Sequence, residues 1–146
     1  MAAPLRLQAV DADDLKVLSA LVQDAVFPAS EMTWQASKRR FGLLLNRFRW
    51  EEGQQNRAER VQSLLVVDGA LKVASSGVSR GDKDVILSLL ALEFTAAEDG
   101  AGTLTLTLAG DGAIAVTVEC LDVSLKDVTK PYLAVSGKAP SHPLDD

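Results

Sequence analysis

From Glu31 onward the chain repeats one pattern, in which short runs of alternating apolar residues are separated by polar or glycine-containing turns. The clearest run extends from Thr103 to Leu108, where threonine and leucine alternate at every position. An alternation of period two places the apolar side chains on one face of a β-strand. Because the runs follow one another through short turns, the sequence predicts a series of mostly antiparallel strands.

One helix is predicted near the N-terminus, after a short strand at Leu5–Leu7. Asp11 is expected to be its N-cap, since a carboxylate there accepts a hydrogen bond from a free backbone N–H. Pro28 is expected to end the helix, because proline lacks a backbone donor. Between them, one apolar stripe repeats at helical spacing and consists of Leu15, Leu18, Leu21, Val22 and Ala25.

Two local features predict how later strands connect. The dipeptide Asp68-Gly69 lies between two apolar runs and predicts a tight β-hairpin, because a type I′ turn favours these residues. The apolar parity then changes between Cys120 and Leu121. Such a phase slip predicts a β-bulge or a break at that point.

The predicted fold class is α+β, with one N-terminal helix packed on a curved, mostly antiparallel sheet of about seven or eight strands. A half-barrel is compatible with this pattern. The run Val85–Phe94 fits a strand or a short helix, and a strand is favoured from Leu89. Residues 1–130 are predicted to form a single domain. Residues 131–146 hold three prolines and no periodicity, which predicts a loosely ordered tail.

Composition limits the classes of function. The chain has 15 Lys and Arg against 20 Asp and Glu, a net charge of −5. This balance disfavours a general nucleic-acid or anionic-membrane protein, because phosphate groups require a positive field. The single cysteine, the absence of a signal-peptide pattern at the N-terminus and the lack of a long apolar run predict a cytoplasmic protein.

No motif predicts a catalytic residue, a cofactor or a metal site. His142 is the only histidine, and it lies in a proline-rich segment that is unsuited to a general base. Cys120 shares the apolar parity of its predicted strand, so a buried, unreactive thiol is expected. Asp82 and Asp84 lack the spacing of a calcium-binding loop and are interpreted as solvated loop charges.

The strongest anomaly is a local inversion of charge between Lys38 and Arg60. This window holds seven basic and three acidic residues, whereas the remainder holds 8 basic and 17 acidic residues. Aromatic residues lie in the same window. Arginine forks suit carboxylate or phosphate oxygens, and rings offer contact area. The candidate residues for binding a partner or an anion are therefore Arg39, Arg40, Arg47, Phe48, Arg49, Trp50, Arg57 and Arg60.

The leading hypothesis is a non-enzymatic binding or adaptor module that recognises an acidic protein partner through the end of the strand Arg40–Trp50. One alternative is an enzyme or sensor that binds a small anionic metabolite in a sheet cavity, with Asp82 or Asp84 as acid or base. A third is RNA binding through the same strand. The oligomeric state is left open, and a homodimer through a sheet edge is one arrangement considered.

Three segments, LRLQAVDADDLKVLSALVQDAVF, KRRFGLLLNRFRWEE and VVDGALKVASSGVSRGDKDVILSLLALEF, carry a family resemblance. They resemble a small uncharacterised family of alphaproteobacterial proteins, the domain of unknown function 2948, over residues 5–128. The segment RRFGLLLNRFRWE is the most specific part. The resemblance implies a bacterial cytosolic single domain and assigns no catalytic residue.

Overall fold

The computed structural model describes residues 4–49, 59–78 and 85–129, together with the backbone of residues 132–133. One α-helix, eleven strands and two single-turn 3-10 helices form this part of the chain. The helix α1 spans Ala12–Leu21, and the 3-10 helices span Ala29–Glu31 and Ala36–Lys38. The strands are β1 (Arg6–Ala9), β2 (Val26–Pro28), β3 (Met32–Gln35), β4 (Arg40–Phe48), β5 (Glu59–Asp68), β6 (Ala70–Ser76), β7 (Ile86–Ala96), β8 (Gly102–Leu108), β9 (Ala113–Val118), β10 (Val123–Asp127) and β11 (Tyr132–Leu133).

The strands form one sheet in the order β1-β10-β5-β4-β2-β7-β8-β9-β6. β3 pairs with the first half of β4, and β11 pairs with the start of β5. Every pairing among the described residues is antiparallel, and the sheet ends at β1 and β6 without closing. This confirms an antiparallel, sheet-rich fold with one helix. The strand number exceeds the prediction, in part because β2 and β11, with three and two residues, are too short to show an alternating pattern.

The N-terminal helix begins where the sequence predicts and ends earlier. Asp11 is the N-cap, and its Oδ1 accepts a hydrogen bond from Asp14 N at 2.8 Å. The helix stops at Leu21, and the expectation that it continues to Pro28 is wrong. Asp24 adopts a positive φ of 65°, which turns the chain, and its N–H donates to the Leu89 carbonyl. Pairing with β7 therefore replaces the last turns of the predicted helix.

The predicted hairpin at Asp68-Gly69 is wrong. β5 lies between β4 and β10, whereas β6 pairs with β9 at the other end of the sheet. Gly69 has a φ of 70° and carries the chain from one half of the sheet to the other. Its carbonyl accepts from Glu119 N, and a Cβ there would lie 3.1 Å from the Glu119 Cγ. Asp-Gly signals a positive φ here, but it marks a corner between sheet halves.

Two other ambiguities have clear structural causes. The run from Val85 onward is a strand, and its irregular periodicity comes from a bulge between Leu89 and Ala91 in the pairing with β8. The phase slip near Cys120 is a break, since β9 ends at Val118 and β10 begins at Val123. The sequence therefore located the break near Cys120, because it changes the parity of the apolar positions, whereas the bulge in β7 was not predicted.

The core lies between the inner face of the curved sheet and α1. Inner-face leucines and valines from both halves of the strand order belong to one cluster with the helix, so the sheet must curve around them. Full burial of such a side chain contributes about 1.5–3 kcal/mol. Central members are Leu15, Leu18, Leu43, Leu45, Leu65, Leu104, Leu106, Ile114, Val116 and Leu125.

The predicted domain boundary at residue 130 stays a prediction. The backbone of Tyr132–Leu133 pairs with Arg60 and Glu59 of β5. Residues 134–146, which include most of the predicted tail and His142, lie outside the described residues.

Candidate binding surface

The predicted arginine cluster is divided between the two ends of β4. Arg39 and Arg40 lie at its start, and Arg47 and Arg49 lie at its end. Nine residues of extended strand span about 27 Å. The candidates therefore cannot act as one patch, and each end has to be considered separately. Trp50 and Arg57 lie outside the described residues.

Arg47 is the largest fully buried side chain, with no exposed surface. Its Nη2 donates to both carboxylate oxygens of Asp127, at 2.9 and 3.2 Å, and its Nε donates to Ser63 Oγ at 3.0 Å. The Ser63 hydroxyl donates to Asp127 Oδ1 at 2.7 Å. The Phe48 carbonyl accepts from Arg47 Nη1. A buried charge is tolerated only when it is paired and hydrogen-bonded in this way.

The register explains this buried network. Arg47 shares the inner-face parity of Leu43 and Leu45, and Ser63 lies opposite Leu45 on β5. Asp127 in turn lies opposite Ser63 on β10. Sequence reasoning missed Asp127, although it continues the buried parity of Val123 and Leu125. When an arginine and an aspartate each occupy a position where the strand pattern expects a buried apolar residue, the pattern predicts that the two are paired in the core.

Arg49 is also largely buried and has a local partner. Its side chain is 7% exposed, and its Nη1 donates to Glu59 Oε1 at 2.6 Å. The backbone N–H of Arg49 donates to the Glu59 carbonyl at 3.0 Å. Side chain and backbone therefore join the end of β4 to the start of β5. Arg47 and Arg49 are both buried, so the prediction that they bind a partner at the end of this strand is wrong.

Phe48 and Arg60 face each other on the opposite side of the sheet. The Arg60 guanidinium lies 3.8 Å from the centre of the Phe48 ring, a cation–π contact. Arg60 Nη1 also donates to the Asn46 carbonyl at 3.1 Å. These two candidates are thus brought together on the outer side of the sheet, with Phe48 itself buried.

The start of β4 carries the exposed candidates. Arg39 Nη1 lies 3.2 Å from Glu119 Oε1, and Arg40 Nε lies 2.8 Å from Asp68 Oδ1. All four side chains are substantially exposed. Surface pairs of this kind contribute about 0–1 kcal/mol, so a partner carboxylate competes with them readily.

We define the outer face as the side chains that point away from the core on β1, β10, β5, β4 and β3. One row crosses it from Arg6 through Lys126 and Leu64 to Leu44, each directly opposite the next. At the usual strand spacing this row is about 14 Å wide. Across the described residues, the face holds four basic side chains and one acidic side chain. They are Arg6, Arg40, Arg60, Lys126 and Asp68.

The centre of the outer face is apolar and shallow. Leu44, Leu64 and Val66 are only half-buried there, although the exposed side of an antiparallel sheet is normally polar. Gly42 lies opposite Val66, and a Cβ at this position would meet nothing within 4 Å. The absence of a side chain leaves a dent between the apolar residues and Arg40.

A second concave feature lies between the start of α1, the end of β7 and the β9–β10 connection. It is a groove of about 540 Å³ lined by both apolar and acidic residues. Cys120 is exposed at this groove, so the expectation of a buried thiol is wrong. The cause is the break after Val118, which removes Cys120 from the strand. The lining consists of Val10, Asp11, Ala12, Phe94, Ala96, Gly100, Cys120, Leu121 and Asp122.

The described part of the chain offers no cluster of three metal-ligating side chains. Asp82 and Asp84, the carboxylates considered from sequence, lie outside the described ranges. Within those ranges, α1 is too short to cross a membrane, and no longer apolar helix is present.

The fold and the outer face define a class, a sheet-rich α+β domain with a basic, partly apolar surface. Comparison with protein families is more specific. The chain belongs to the family described as "Protein of unknown function (DUF2948)", whose model matches residues 5–142. No curated protein and no solved structure matches the chain significantly.

Proposed function

We propose that this protein is a non-enzymatic binding module whose outer face holds an acidic segment of a protein partner. The observation that carries the proposal is the charge of this face. Among the residues that the structure describes, it has four basic side chains and one acidic side chain, on a chain with a net charge of −5. A cytoplasmic location is part of the proposal and rests on the single cysteine.

Charge and shape on the outer face act together. Lys126 and Arg6 border the apolar centre on one side, where they lie next to each other with no acidic residue opposite. Like charges opposite each other destabilise a sheet slightly, and a bound carboxylate relieves that repulsion. Screening over about 8 Å lets this group attract an acid despite the acidic remainder of the chain. Leu44, Leu64 and Val66 supply the apolar contact.

Acidic groups at the border of the face limit this field. Asp68 is held by Arg40 at 2.8 Å, and the Asp122 carboxylate accepts from Gln8 Nε2 at 2.8 Å. Arg40 neutralises Asp68, whereas Asp122 keeps its charge near Gln8, at the opposite end of β1 from Arg6 and Lys126. The acidic partner segment is therefore expected to approach over β1 and β10.

The alternatives receive less support. As far as the described residues show, the groove described above is lined by Asp11 and Asp122 and by no basic side chain, which does not suit a small anion. RNA binding requires a wider positive field than four basic residues on an acidic protein provide. It would use the same face, so the experiment below includes nucleic acid among its outcomes.

The test is quantitative affinity capture from native cell extract after nuclease treatment. Wild type is compared with Arg6→Glu/Lys126→Glu and with the control Lys16→Glu/Lys72→Glu. Lys16 and Lys72 are exposed on other surfaces, so both variants carry the same net charge. An acidic protein retained by wild type and control and lost from the Arg6/Lys126 variant supports the proposal.

Equal capture by all three proteins refutes the outer face as the binding surface. A parallel capture omits the nuclease. Material that is retained only in this untreated sample, and whose binding depends steeply on salt, would identify RNA rather than an acidic protein as the partner. Each sample is first checked by thermal unfolding, since all four substituted side chains are exposed and are expected to leave the fold intact.

A further inference from the structure

The terminal strand β6 presents an open edge. Across the described ranges it pairs with β9 alone, and it forms one end of the strand order. The hairpin that the sequence suggested would have covered this edge with β5, but the corner at Gly69 sends β5 into the other half of the sheet. Within the described part of the chain, the one backbone donor that bonds across this side is Ala70, at the start of β6, to the Arg39 carbonyl at 2.9 Å.

We propose that β6 is the contact between two copies of this chain, paired antiparallel about a two-fold axis at Ala74. This proposal is independent of the function of the outer face. Unpaired strand edges template further pairing, and soluble proteins normally block them with charges, prolines, bulges or covering elements. In β6 the bulge and the charge occur only at Ala70–Lys72, so Val73–Ser76 is regular and uncharged.

The register follows from the two faces of the strand. Val73 and Ser75 lie on the core side, because they pair with Val116 and Ile114 of β9. Residues opposite each other in an antiparallel pair share a face, so a shift by one position would place inner side chains against outer ones. Pairing about Ala74 satisfies this condition. It also places Lys72 opposite the partner's Ser76, so no like charges meet.

The other open edge does not offer an alternative. β1 has four residues, its Arg6 lies beside Lys126, and α1 packs against it. Pairing β6 of one copy with β1 of the next would also be head-to-tail and would propagate into an open filament. The β6–β6 contact is closed, because each copy then uses its unblocked edge.

The contact is small, which determines how it is measured. Pairing of Lys72–Ser76 with its copy adds one ladder of five residues, with the exposed Leu71 beside it. Interfaces of this size belong to the lower end of the range for specific association. Sedimentation velocity over a wide concentration series is therefore the appropriate measurement, and wild type is expected to shift from monomer to dimer within it.

Charge exchange at Ala74 provides the test. Ala74 is exposed, and in the dimer it lies opposite the partner's Ala74. Ala74→Glu and Ala74→Lys should each raise the dimer dissociation constant roughly tenfold through repulsion across the axis. An equimolar mixture of the two variants should restore dimerisation, which also shows that both are folded. The control Ala20→Glu, on exposed helix surface, should leave the dissociation constant unchanged.

Three results overturn the proposal. They are sedimentation of wild type as a monomer at every concentration, dimerisation of the Ala74 variants as tight as that of wild type, and failure of the mixture to restore the dimer. If wild type is always a monomer, the edge of β6 is available to a strand from another protein instead of a second copy.

Discussion

Arg40 and Arg47 belong to the same strand and lie in opposite environments. Arg40 is exposed beside Asp68, whereas Arg47 is buried with Asp127 and Ser63. The sequence made both Arg40 and Arg47 candidates for binding a partner or an anion, and the structure leaves only Arg40 of these two exposed. The burial of Arg47 could not be predicted from its neighbours in sequence, because its counter-charge, Asp127, lies on β10, 80 residues later.

The first prediction concerns the buried pair. Asp127→Ala should lower the free energy of unfolding by about 3–5 kcal/mol, because it removes a buried counter-charge. The control Asp68→Ala removes the partner of the exposed Arg40 and should cost about 0–1 kcal/mol. Urea denaturation followed by circular dichroism measures both. Similar losses for the two variants would mean that burial does not determine the contribution of these pairs.

The second prediction concerns the dent at Gly42. Gly42→Val should keep or slightly raise the thermal midpoint, because its Cβ meets no atom within 4 Å and valine favours strands. The same substitution should weaken capture of the acidic partner, since the branched side chain fills the dent. Ala115→Val, on the outer side of β9, is the matched control. Unchanged capture by Gly42→Val would remove the dent from the binding surface while leaving its basic residues in place.

Helices, strands and turns could be predicted from the sequence where they depend on nearby residues, and not where they depend on distant strands. The N-cap at Asp11 and the strand at Thr103–Leu108 depend on neighbours in sequence, and both are where the pattern placed them. The corner at Gly69 depends on β4, β9 and β10, which a local turn signal does not contain. The same holds for the early end of α1, where Asp24 N donates to Leu89.

The third prediction tests that corner. Gly69→Ala should destabilise the fold by about 1–2 kcal/mol, since a residue with a Cβ is strained at positive φ. Its Cβ would also approach the Glu119 Cγ. In a Glu119→Ala background that approach is absent, so the substitution at Gly69 should cost less. Urea denaturation of the four proteins forms a double-mutant cycle. If Gly69→Ala lowered the free energy of unfolding equally in the wild-type and the Glu119→Ala backgrounds, its effect would come from backbone strain alone.

Across the whole molecule, the charged residues belong to two groups, one buried in the core and one on the surface. The buried pair Arg47–Asp127 supports the core, while Arg6 and Lys126 lie on the outer face of an acidic chain. The sequence showed the charge inversion but not this division, because depth depends on which strands are neighbours. It also placed the inversion on β4 and β5 alone, whereas β1 and β10 contribute half of the basic residues of the outer face.

The fourth prediction uses ionic strength to distinguish the buried Arg47–Asp127 pair from the basic residues of the outer face. Raising salt from about 50 mM to about 500 mM shortens the screening length several-fold, so binding of an acidic partner should weaken markedly. The unfolding midpoint should change little, because the buried pair is screened far less. Titration calorimetry and thermal unfolding in the same buffers measure the two effects. If salt weakened binding and lowered the unfolding midpoint together, the proposed difference between the buried and the surface charges would be wrong.

The partnership between Arg47 and Asp127 also has a consequence for protein synthesis. Translation proceeds at about 5–20 residues per second, so the ribosome delivers Asp127 roughly 4–16 s after Arg47. During that interval the nascent β4 carries a cation among leucines that belong in a core. The amino-terminal half of the chain is therefore expected to wait, unfolded or chaperone-held, until β10 has left the exit tunnel. Packing of β4 into the core is accordingly an event that follows the synthesis of β10 rather than that of β4 itself.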